Sequence, residues 1–345
     1  MKVYLVGGAV RDELMGLDIT DRDFVVTGAT PSQMLATGFS QVGKGFPVFL
    51  HPSTHEEYAL ARKEKKTAPG HDGFHFEFSP NTTLKDDLIR RDLTINAIAQ
   101  DEKGQYIDPY GGLNDIQNKI LRHVSAAFCE DPLRVLRVCR FKAKFPDFVI
   151  SPSTLNLMKK MIHGSDFKTL SQHRLWQELA KTLDYSQPYL FFKTLFDLNW
   201  LPGSVFKSIN PCSFEKNIPQ TCKLALLISN SEGLNWLHQI FHLPNDFLFI
   251  AQQTLKQHTL ILGEYHADTV LSALQDLKAF SDPKWLPVLG EVARQKGNTH
   301  LESLLTQALQ QAKSINAQDF PAIKPGPKLG EIIKMARLEA IAQIL

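Results

Sequence analysis

The chain opens on a short apolar run, Lys2 to Val6, that stops at Gly7-Gly8. A run of that length closed by two glycines predicts a buried strand entering a tight turn. A short helix from Ala9 to Met15 follows, ended by Gly16, and Asp23 to Val26 predicts a second strand. Thr30-Pro31 offers a capping hydroxyl and a proline at the first helical position, the start of a helix. Gln41 to Leu50 and Glu56 to Arg62 read as two further strands around the turn His51-Pro52-Ser53. Lys63 to Phe78, rich in Lys, Gly and His, reads as a mobile loop. From about Leu84 the pattern turns helical. Asp131-Pro132 caps a long helix through Ala143, and amphipathic helical stretches continue to the end, broken at 147–152, Pro188, Pro202-Gly203, Asn210-Pro211 and 325–327. This outline is α+β: an α/β head of roughly 120 residues with a mixed sheet, then an all-α remainder.

Composition narrows this picture. The 345 residues suit roughly two domains. With 43% hydrophobic and 21% charged residues, a disordered chain is excluded. The net charge of +2 gives no whole-molecule basic field, so a nucleic-acid partner has to be held by a local patch. Residues 130–181 supply one, with ten lysines and arginines against five acids. The cysteines at 129, 139, 212 and 222 form no Cys-x-x-Cys pair, which disfavours zinc and leaves buried reduced thiols as the expectation. The first apolar stretch is interrupted at Arg11 and Asp12, too early for a signal peptide, and no run approaches a membrane span. The chain is therefore expected in the cytoplasm.

Candidate chemistry begins at Asp21 and Asp23. On a strand, i and i+2 place both carboxylates on one face, and two hard oxygen donors suit Mg²⁺, which fills its octahedron with water and substrate phosphates. A polar turn before a strand would look the same. The context favours chemistry: Gly7-Gly8-Ala9-Val10-Arg11-Asp12 stands about a dozen residues upstream. Glycines at a strand-to-helix turn let backbone N–H groups approach a triphosphate, and Arg11 adds a forked donor. The spacing matches neither dinucleotide-binding nor P-loop fingerprints. Glu57, with Glu56 as competitor, is the candidate third carboxylate.

Three segments in this order resemble the class II branch of the tRNA nucleotidyltransferase and poly(A) polymerase family, and within it the bacterial CCA-adding enzymes of gamma-proteobacterial type. They are the glycine turn with Asp21-Arg22-Asp23, then Arg90-Arg91-Asp92-Leu93-Thr94-Ile95-Asn96-Ala97, then Glu130-Asp131-Pro132-Leu133-Arg134-Val135-Leu136-Arg137. The likeness runs over about residues 1–185. It implies a nucleotidyltransferase head (1–124), a helical neck that recognises the base (125–204), and a helical body and tail that hold tRNA (205–345). It also implies a reaction, addition of C, C and A to the 3′ end of tRNA from CTP and ATP. By resemblance, Gly8, Arg11, Arg91, Arg137 and Arg140 contact the nucleotide, Asp21 and Asp23 hold Mg²⁺, and Asp131 and Arg134 read the base with Glu130 in support. A later segment, normally Glu-Arg followed by Glu, has His173 in the first place and keeps Arg174 and Glu178.

The residues support parts of this unaided. Cytosine and adenine each present an amino donor beside a ring-nitrogen acceptor. An ionised Asp only accepts and an Arg only donates. Asp131 and Arg134, i and i+3 on one helix, therefore match C and A and mismatch U and G, at roughly 1–3 kcal/mol per wrong pairing. Arg134, Arg137 and Arg140 recur every third residue, which is either a solvated basic face or, beside the other motifs, a set of triphosphate and base contacts. Asp92 and Asn96 read as organisers of the fold or ribose pocket, and Asp12 as a partner of the nearby turn. The expected mechanism is in-line attack of the tRNA 3′-hydroxyl on the α-phosphate, with two Mg²⁺ and no protein nucleophile. Lys63, Lys65 and Lys66 either touch RNA phosphate or are solvated. Trp176, Phe191, Phe192 and Trp200 read as core. The expected partners are the tRNA acceptor stem and 3′ end with ATP and CTP, and neither DNA nor a membrane.

Relatives implied by this resemblance often carry a metal-dependent HD-type phosphohydrolase domain. Here the adjacent His-Asp pair is His71-Asp72, in the head, and His238 and His242 have no acid between them. The expectation is a single-activity polymerase without phosphatase or cyclic phosphodiesterase activity. Alternatives are a poly(A) polymerase, disfavoured because Gly45 breaks the basic pair in Val42-Gly43-Lys44-Gly45-Phe46-Pro47; an enzyme adding only C or only A; and a non-catalytic RNA-binding module, against which Asp21 and Asp23 argue.

Overall fold

The structure, a computed structural model, describes residues 1–42, 48–66 and 74–345, with side chains except at 63–66 and 74–78. The backbone divides into two compact units, Met1–Glu178 with Lys193–Leu201, and Leu179–Phe192 with Pro202–Leu345.

The strands of the first unit begin with β1 (Lys2–Val6), β2 (Asp23–Thr27), β3 (Ser40–Val42), β4 (Val48–Leu50), β5 (Glu57–Leu60), β6 (Arg62–Lys66), β7 (Phe74–Phe78), β8 (Ala99–Asp101) and β9 (Tyr106–Ile107). Seven of them form one mixed sheet in the order β3-β4-β5-β2-β1-β8-β9, with β2 and β5 parallel and the other neighbours antiparallel. Val6 pairs with Asp23, and Asp23 with Glu57. Strand alternation then puts Val6, Asp23, Val25, Glu57 and Ala59 on one face and Val26 and Leu60 on the other.

Each face has its own core. Val6 and Val25 pack with Leu88, Ala97 and Ala99, while Val26 and Leu60 pack with Met34 and Phe49. Phe49 is fully buried, and burying a side chain of that kind contributes roughly 1.5–3 kcal/mol. Helix α1 (Gly8–Leu14) leaves β1 through Gly7. Helix α2 (Pro31–Ala36) starts as its sequence predicts, with the Thr30 hydroxyl accepting from the Gln33 backbone and Gln33 reaching back in a capping box. Short helices α3 (Leu84–Leu88) and α4 (Gly112–Gln117) follow, and β10 (Ile120–Leu121) pairs in parallel with β11 (Val149–Ile150). Between those two strands runs α5 (Leu133–Lys144), with Val135, Leu136, Cys139 and Ala143 buried. Helices α6 (Pro152–Ile162), α7 (Gln172–Leu183) and α8 (Tyr189–Asp197) come next.

Four sequence expectations are corrected here. Gln41 to Leu50 is two strands, paired Val42 to Val48, rather than one. Glu56 to Arg62 also splits, because the chain leaves the main sheet after Leu60 and Arg62 opens a separate hairpin. That hairpin, β6 with β7, occupies much of the stretch read as a loop. Its first strand, Arg-Lys-Glu-Lys-Lys, has no apolar alternation, so backbone pairing forms it without a period that sequence reading can detect. Beyond Leu84 the chain is not wholly helical, since β8 and β9 return to the sheet edge with too few residues to show a period. Gly43–Pro47, His71-Asp72 and the side chains of Lys63, Lys65 and Lys66 lie outside the described residues.

The second unit holds α9 (Gly203–Phe206), α10 (Gln220–Leu227), α11 (Ser231–Phe241), α12 (Asn245–Lys256), α13 (His258–Ile261), α14 (Ala267–Asp276), α15 (Leu286–Gln295), α16 (Leu301–Ser314) and α17 (Pro327–Ala342). Helix α10 packs on α12 and α15 and buries Leu224, Leu227, Ile250 and Val292. Phe191 and Phe192 are fully buried and Phe191 also meets Phe241. In the first unit Trp176 and Trp200 are half-buried, with Trp200 edge-on to Phe167. The His238 and His242 rings stack at 5.7 Å, with His242 capping α11 in the left-handed region. All four cysteines are free thiols; Cys139 and Cys222 are buried and Cys212 half-buried, but Cys129 is exposed, contrary to expectation. No helix among the described residues is long and apolar enough to cross a membrane.

Candidate active site

A cleft of about 630 Å³ opens in the first unit, lined by β1, β2 and β5 and by α5. Its glycine wall is set by backbone conformation. Gly7 has φ 74°, in the left-handed region, and a Cβ there would stand 2.7 Å from Arg91 Nη1. Gly8 follows on the cleft wall beside Arg11. Arg11 is buried; its Nε and Nη2 donate to Asp12 at 2.8 Å each, and its Nη1 donates to Asn96 Oδ1 at 2.5 Å. Asp12 also accepts from Lys144 Nζ at 2.9 and 3.2 Å. Asp12 is thus a structural partner, as expected, but its second partner lies 132 residues away. Burial, then the Arg11 charge, lowers the Lys144 pKa against the pull of Asp12.

The carboxylates only partly follow the sequence reading. Asp23 lines the cleft at the start of β2, while Asp21 sits in the irregular segment before the strand and outside the lining. Strand alternation therefore does not place the pair on one face. Asp21 still acts on Asp23: loss of solvation lifts the Asp23 carboxyl above the usual range, Asp21 adds to the rise, and Arg91 opposes it. Glu57 lines the cleft next to Asp23 in register, whereas Glu56 is taken up by the Thr54 hydroxyl at 2.8 Å. Among the described residues, no group of three His, Cys, Asp or Glu side chains forms a metal cage.

The second motif builds two ion-pair clusters. Asp87, which sequence reading missed, is fully buried behind Arg90 and Arg91. Burial would raise its pKa, but the charges of Arg90 and Arg91 outweigh that and lower it. Asp92 accepts from the Leu93 backbone at 2.8 Å, Asn96 Nδ2 at 2.9 Å and Arg137 Nε at 2.7 Å. Those partners overcome its burial and hold its pKa far below the carboxylate range, and Asp92 in turn raises that of Arg137. Asp92 and Asn96 do organise the site, through a 3-10 turn at Thr94–Asn96.

Helices α5 and α7 supply the rest. Asp131 stands in extended backbone just before α5 rather than on one helix with Arg134; its Oδ1 accepts from the Leu133 backbone at 3.0 Å, and its Oδ2 pairs with Arg174 at 2.8 Å. Arg134 donates from Nη1 to the Ala127 carbonyl at 2.7 Å. Arg140 pairs with Glu178 at 2.6 Å and lies 4.5 Å over the Phe141 ring, while Arg11 stacks on Phe141 and Phe145 at 5.3 Å. Gly8, Arg11, Asp23, Glu57, Arg91, Asp92, Asn96, Asp131, Arg134, Arg137, Arg140 and Arg174 all line the cleft; Asp21, Glu130 and Glu178 do not. His173 meets Gln177 at 3.0 Å. Arg62 and Arg90 line the cleft without having been foreseen.

The basic excess of 130–181 is not one outward patch. Arg134, Arg137, Arg140 and Arg174 turn into the cleft, Lys142 donates to the Pro146 and Phe148 carbonyls, and Lys144 meets Asp12. Lys159, Lys160 and Lys168 remain exposed.

A mixed sheet carrying a glycine turn and an Asp at the start of the next strand, faced by a helix of arginines, is similar to the head domain of poly A polymerase. The family model described as poly A polymerase head domain matches residues 3–122, and one described as the probable RNA and SrmB-binding site of polymerase A matches residues 147–204. The CCA-adding enzyme of Coxiella burnetii is 60% identical over 195 residues, 56% of this chain and 52% of that enzyme; the chain thus spans about half the length of this relative. The multifunctional CCA protein of a Janthinobacterium strain is 36% identical over 407 aligned positions, covering 100% of this chain and 98% of that protein. The chain belongs to this family of CCA-adding nucleotidyltransferases. Its fold is similar to the Bacillus stearothermophilus CCA-adding enzyme crystallised with CTP, with TM-score 0.68 and 23% identity over 99% of this chain and 89% of that one.

Proposed function

We propose that this chain adds C, C and A to the 3′ end of tRNA from CTP and ATP, releasing pyrophosphate, without a nucleic-acid template. The carrying observation is that residues of all three motifs, from Gly8 to Arg137, line one cleft. The likeness to the Janthinobacterium protein along nearly its whole length supports the same reading. By function, residues 1–124 form the catalytic head, 125–204 the base-recognising neck and 205–345 the tRNA-holding body and tail. The cytoplasm, where thiols stay reduced, suits four free cysteines.

Members of this family are typically metal-dependent, and the donor set fits Mg²⁺. Asp23 in the cleft and Asp21 two residues before it are hard oxygen donors, with Glu57 in register beside Asp23. Mg²⁺ takes one or two carboxylates and leaves its other positions to water and substrate phosphates, so a three-donor cage is not required. When bound, it supplies Lewis-acid activation of the 3′-hydroxyl and offsets charge on the leaving pyrophosphate. The protein's own part is binding and orientation. Arg11, Arg91, Arg137 and Arg140 present guanidinium forks to the triphosphate, each backed by a buried acid or a carbonyl that fixes it. Asp131 accepts from the exocyclic amino group of C or A, and Arg134 donates to the adjacent ring nitrogen. To do so Asp131 shares its carboxylate with Arg174, and Arg134 turns from the Ala127 carbonyl.

The test uses tRNA transcripts ending before C, before CC and before CCA, given CTP alone, ATP alone or both. The expected result is two C from CTP, one A from ATP once CC is in place, and then arrest. A long A tail without CTP supports a poly(A) polymerase instead. Arrest after C or CC with both nucleotides present supports a partial enzyme, and no incorporation supports an RNA-binding module.

A further inference from the structure

We propose that Asp87 is a positioning residue of the nucleotide site, holding Arg90 and Arg91 against the glycine turn so that their forks face the triphosphate. The proposal rests on the nucleotidyl-transfer reading of the cleft. Asp87 cannot touch a substrate, being fully buried. It sits on α3, whose start is fixed by a box in which the Thr83 hydroxyl accepts from the Asp86 backbone and Asp86 accepts from the Thr83 backbone at 3.0 Å. From there its two oxygens divide between neighbours at i+3 and i+4. Oδ1 accepts Nε and Nη2 of Arg90 at 3.2 and 2.5 Å, and Oδ2 accepts Nη2 of Arg91 at 3.3 Å. Both arginines line the cleft.

The hold on Arg91 is the sensitive one. Its other hydrogen bond among the described residues, Nη1 to the Asn96 carbonyl, is long at 3.4 Å, and its buried Nε–H meets no acceptor among the described residues. Its Nη1 would stand only 2.7 Å from a Cβ on Gly7, so the guanidinium packs between the glycine turn and the Asp87 carboxylate. Arg91 also lines the same cleft as Asp23. One buried carboxylate therefore offsets two adjacent guanidinium charges and fixes the one that serves both the triphosphate and the metal-facing Asp23. A purely structural salt bridge would anchor α3 and leave nucleotide affinity alone, and that difference is measurable.

The experiment compares the full chain with Asp87→Asn, Arg91→Gln and the double variant, measuring kcat and KM for CTP, ATP and tRNA lacking CCA. The dissociation constant of CTP with Mg²⁺ is measured without tRNA. Asn keeps the acceptor for Arg90 and turns an amide donor toward Arg91. The expected result is a rise of about 10-fold in KM and dissociation constant for both nucleotides, with the KM for tRNA unchanged. Adding Asp87→Asn to Arg91→Gln is expected to cause little further loss, because the two act as one unit. Thr83→Ala, which weakens the α3 cap and keeps the clamp, is expected to lower the thermal midpoint with nucleotide KM unchanged. If Asp87→Asn is not recovered folded, Asp87→Glu, which moves the carboxylate by one methylene, is read the same way. Unchanged nucleotide KM in a folded variant, or fully additive losses in the double variant, overturns the proposal. Failure of the unaltered chain to incorporate C or A overturns the nucleotidyl-transfer reading itself.

Discussion

Replacing Asp92 by Asn keeps the side-chain shape and removes its charge. The native Oδ1 accepts from the Leu93 backbone and Asn96, both of which an Asn Oδ1 retains. The native Oδ2 accepts from Arg137, and there Asn turns an N–H₂ donor toward a donor. Removing one partner of a buried pair costs about 3–5 kcal/mol. The Arg137 side chain is 35% exposed, so water recovers part of that loss, and about 2–4 kcal/mol remains. For a unit of this size each kcal/mol moves the midpoint by about 2–4 °C, giving roughly 4–16 °C. The assay is thermal unfolding of the full chain, with hydrogen exchange of residues 92–99 assigning the shift to the first unit, since two units need not unfold together. The pH dependence has a fixed sign. The folded Asp92 pKa lies below its unfolded value of about 3.9, so its contribution is complete well above that value, starts to fall as pH drops below it, and is gone once pH has fallen through the folded pKa. The gap between native and variant should be full at pH 7 and shrink below about pH 4. A gap under about 1 kcal/mol at pH 7, or one that stays constant down to about pH 3, refutes the reasoning.

Three further outcomes are expected. Asp23→Ala should lower C and A incorporation on the order of 1,000-fold without lowering the thermal midpoint, because the loss of solvation that lifts its pKa means that its charge adds nothing to stability; steady-state kinetics beside a melting curve decides it. Asp131→Asn offers a donor where cytosine needs an acceptor, so the ratio of kcat/KM for CTP over UTP should fall about 10- to 100-fold. Gly112→Ala puts a Cβ 2.3 Å from the Thr94 carbonyl oxygen and 2.7 Å from Ile98 Cγ1. A backbone oxygen cannot yield as a flexible side chain can, and a lowered midpoint worth about 1–3 kcal/mol should follow.

The sequence made the first unit of the fold readable wherever short elements carried strong local signals. The Gly7-Gly8 turn, the Thr30-Pro31 cap and the Asp131-Pro132 start of α5 all stand where their residues indicated. The hairpin from Arg62 to Phe78 was illegible because its first strand is charged throughout and is held by backbone pairing. The cleft was legible as motifs and not as partners. Asp92 with Asn96 could be paired from their spacing, and Asp87 with Arg90 and Arg91 could have been, since i+3 and i+4 neighbours meet on a helix. Lys144 with Asp12, and Arg140 with Glu178, could not, because 132 and 38 residues separate them. The basic count across 130–181 misled for the same reason: charge is additive along a sequence, but whether it faces solvent or an acid is decided by the tertiary fold.

The chain of contacts from Lys144 through Asp12, Arg11, Asn96 and Asp92 to Arg137 has a bearing on how the protein comes to exist. Its links span 132, 85 and 45 residues, and such contacts close only after a large loop entropy has been overcome. During synthesis the glycine turn and Asp23 emerge first, yet the arginines they face are fixed only once α5 has left the ribosome and docked. Assembly of the cleft is therefore a late event in folding, and a nascent chain that stops before α5 carries Asp21 and Asp23 without an organised cleft.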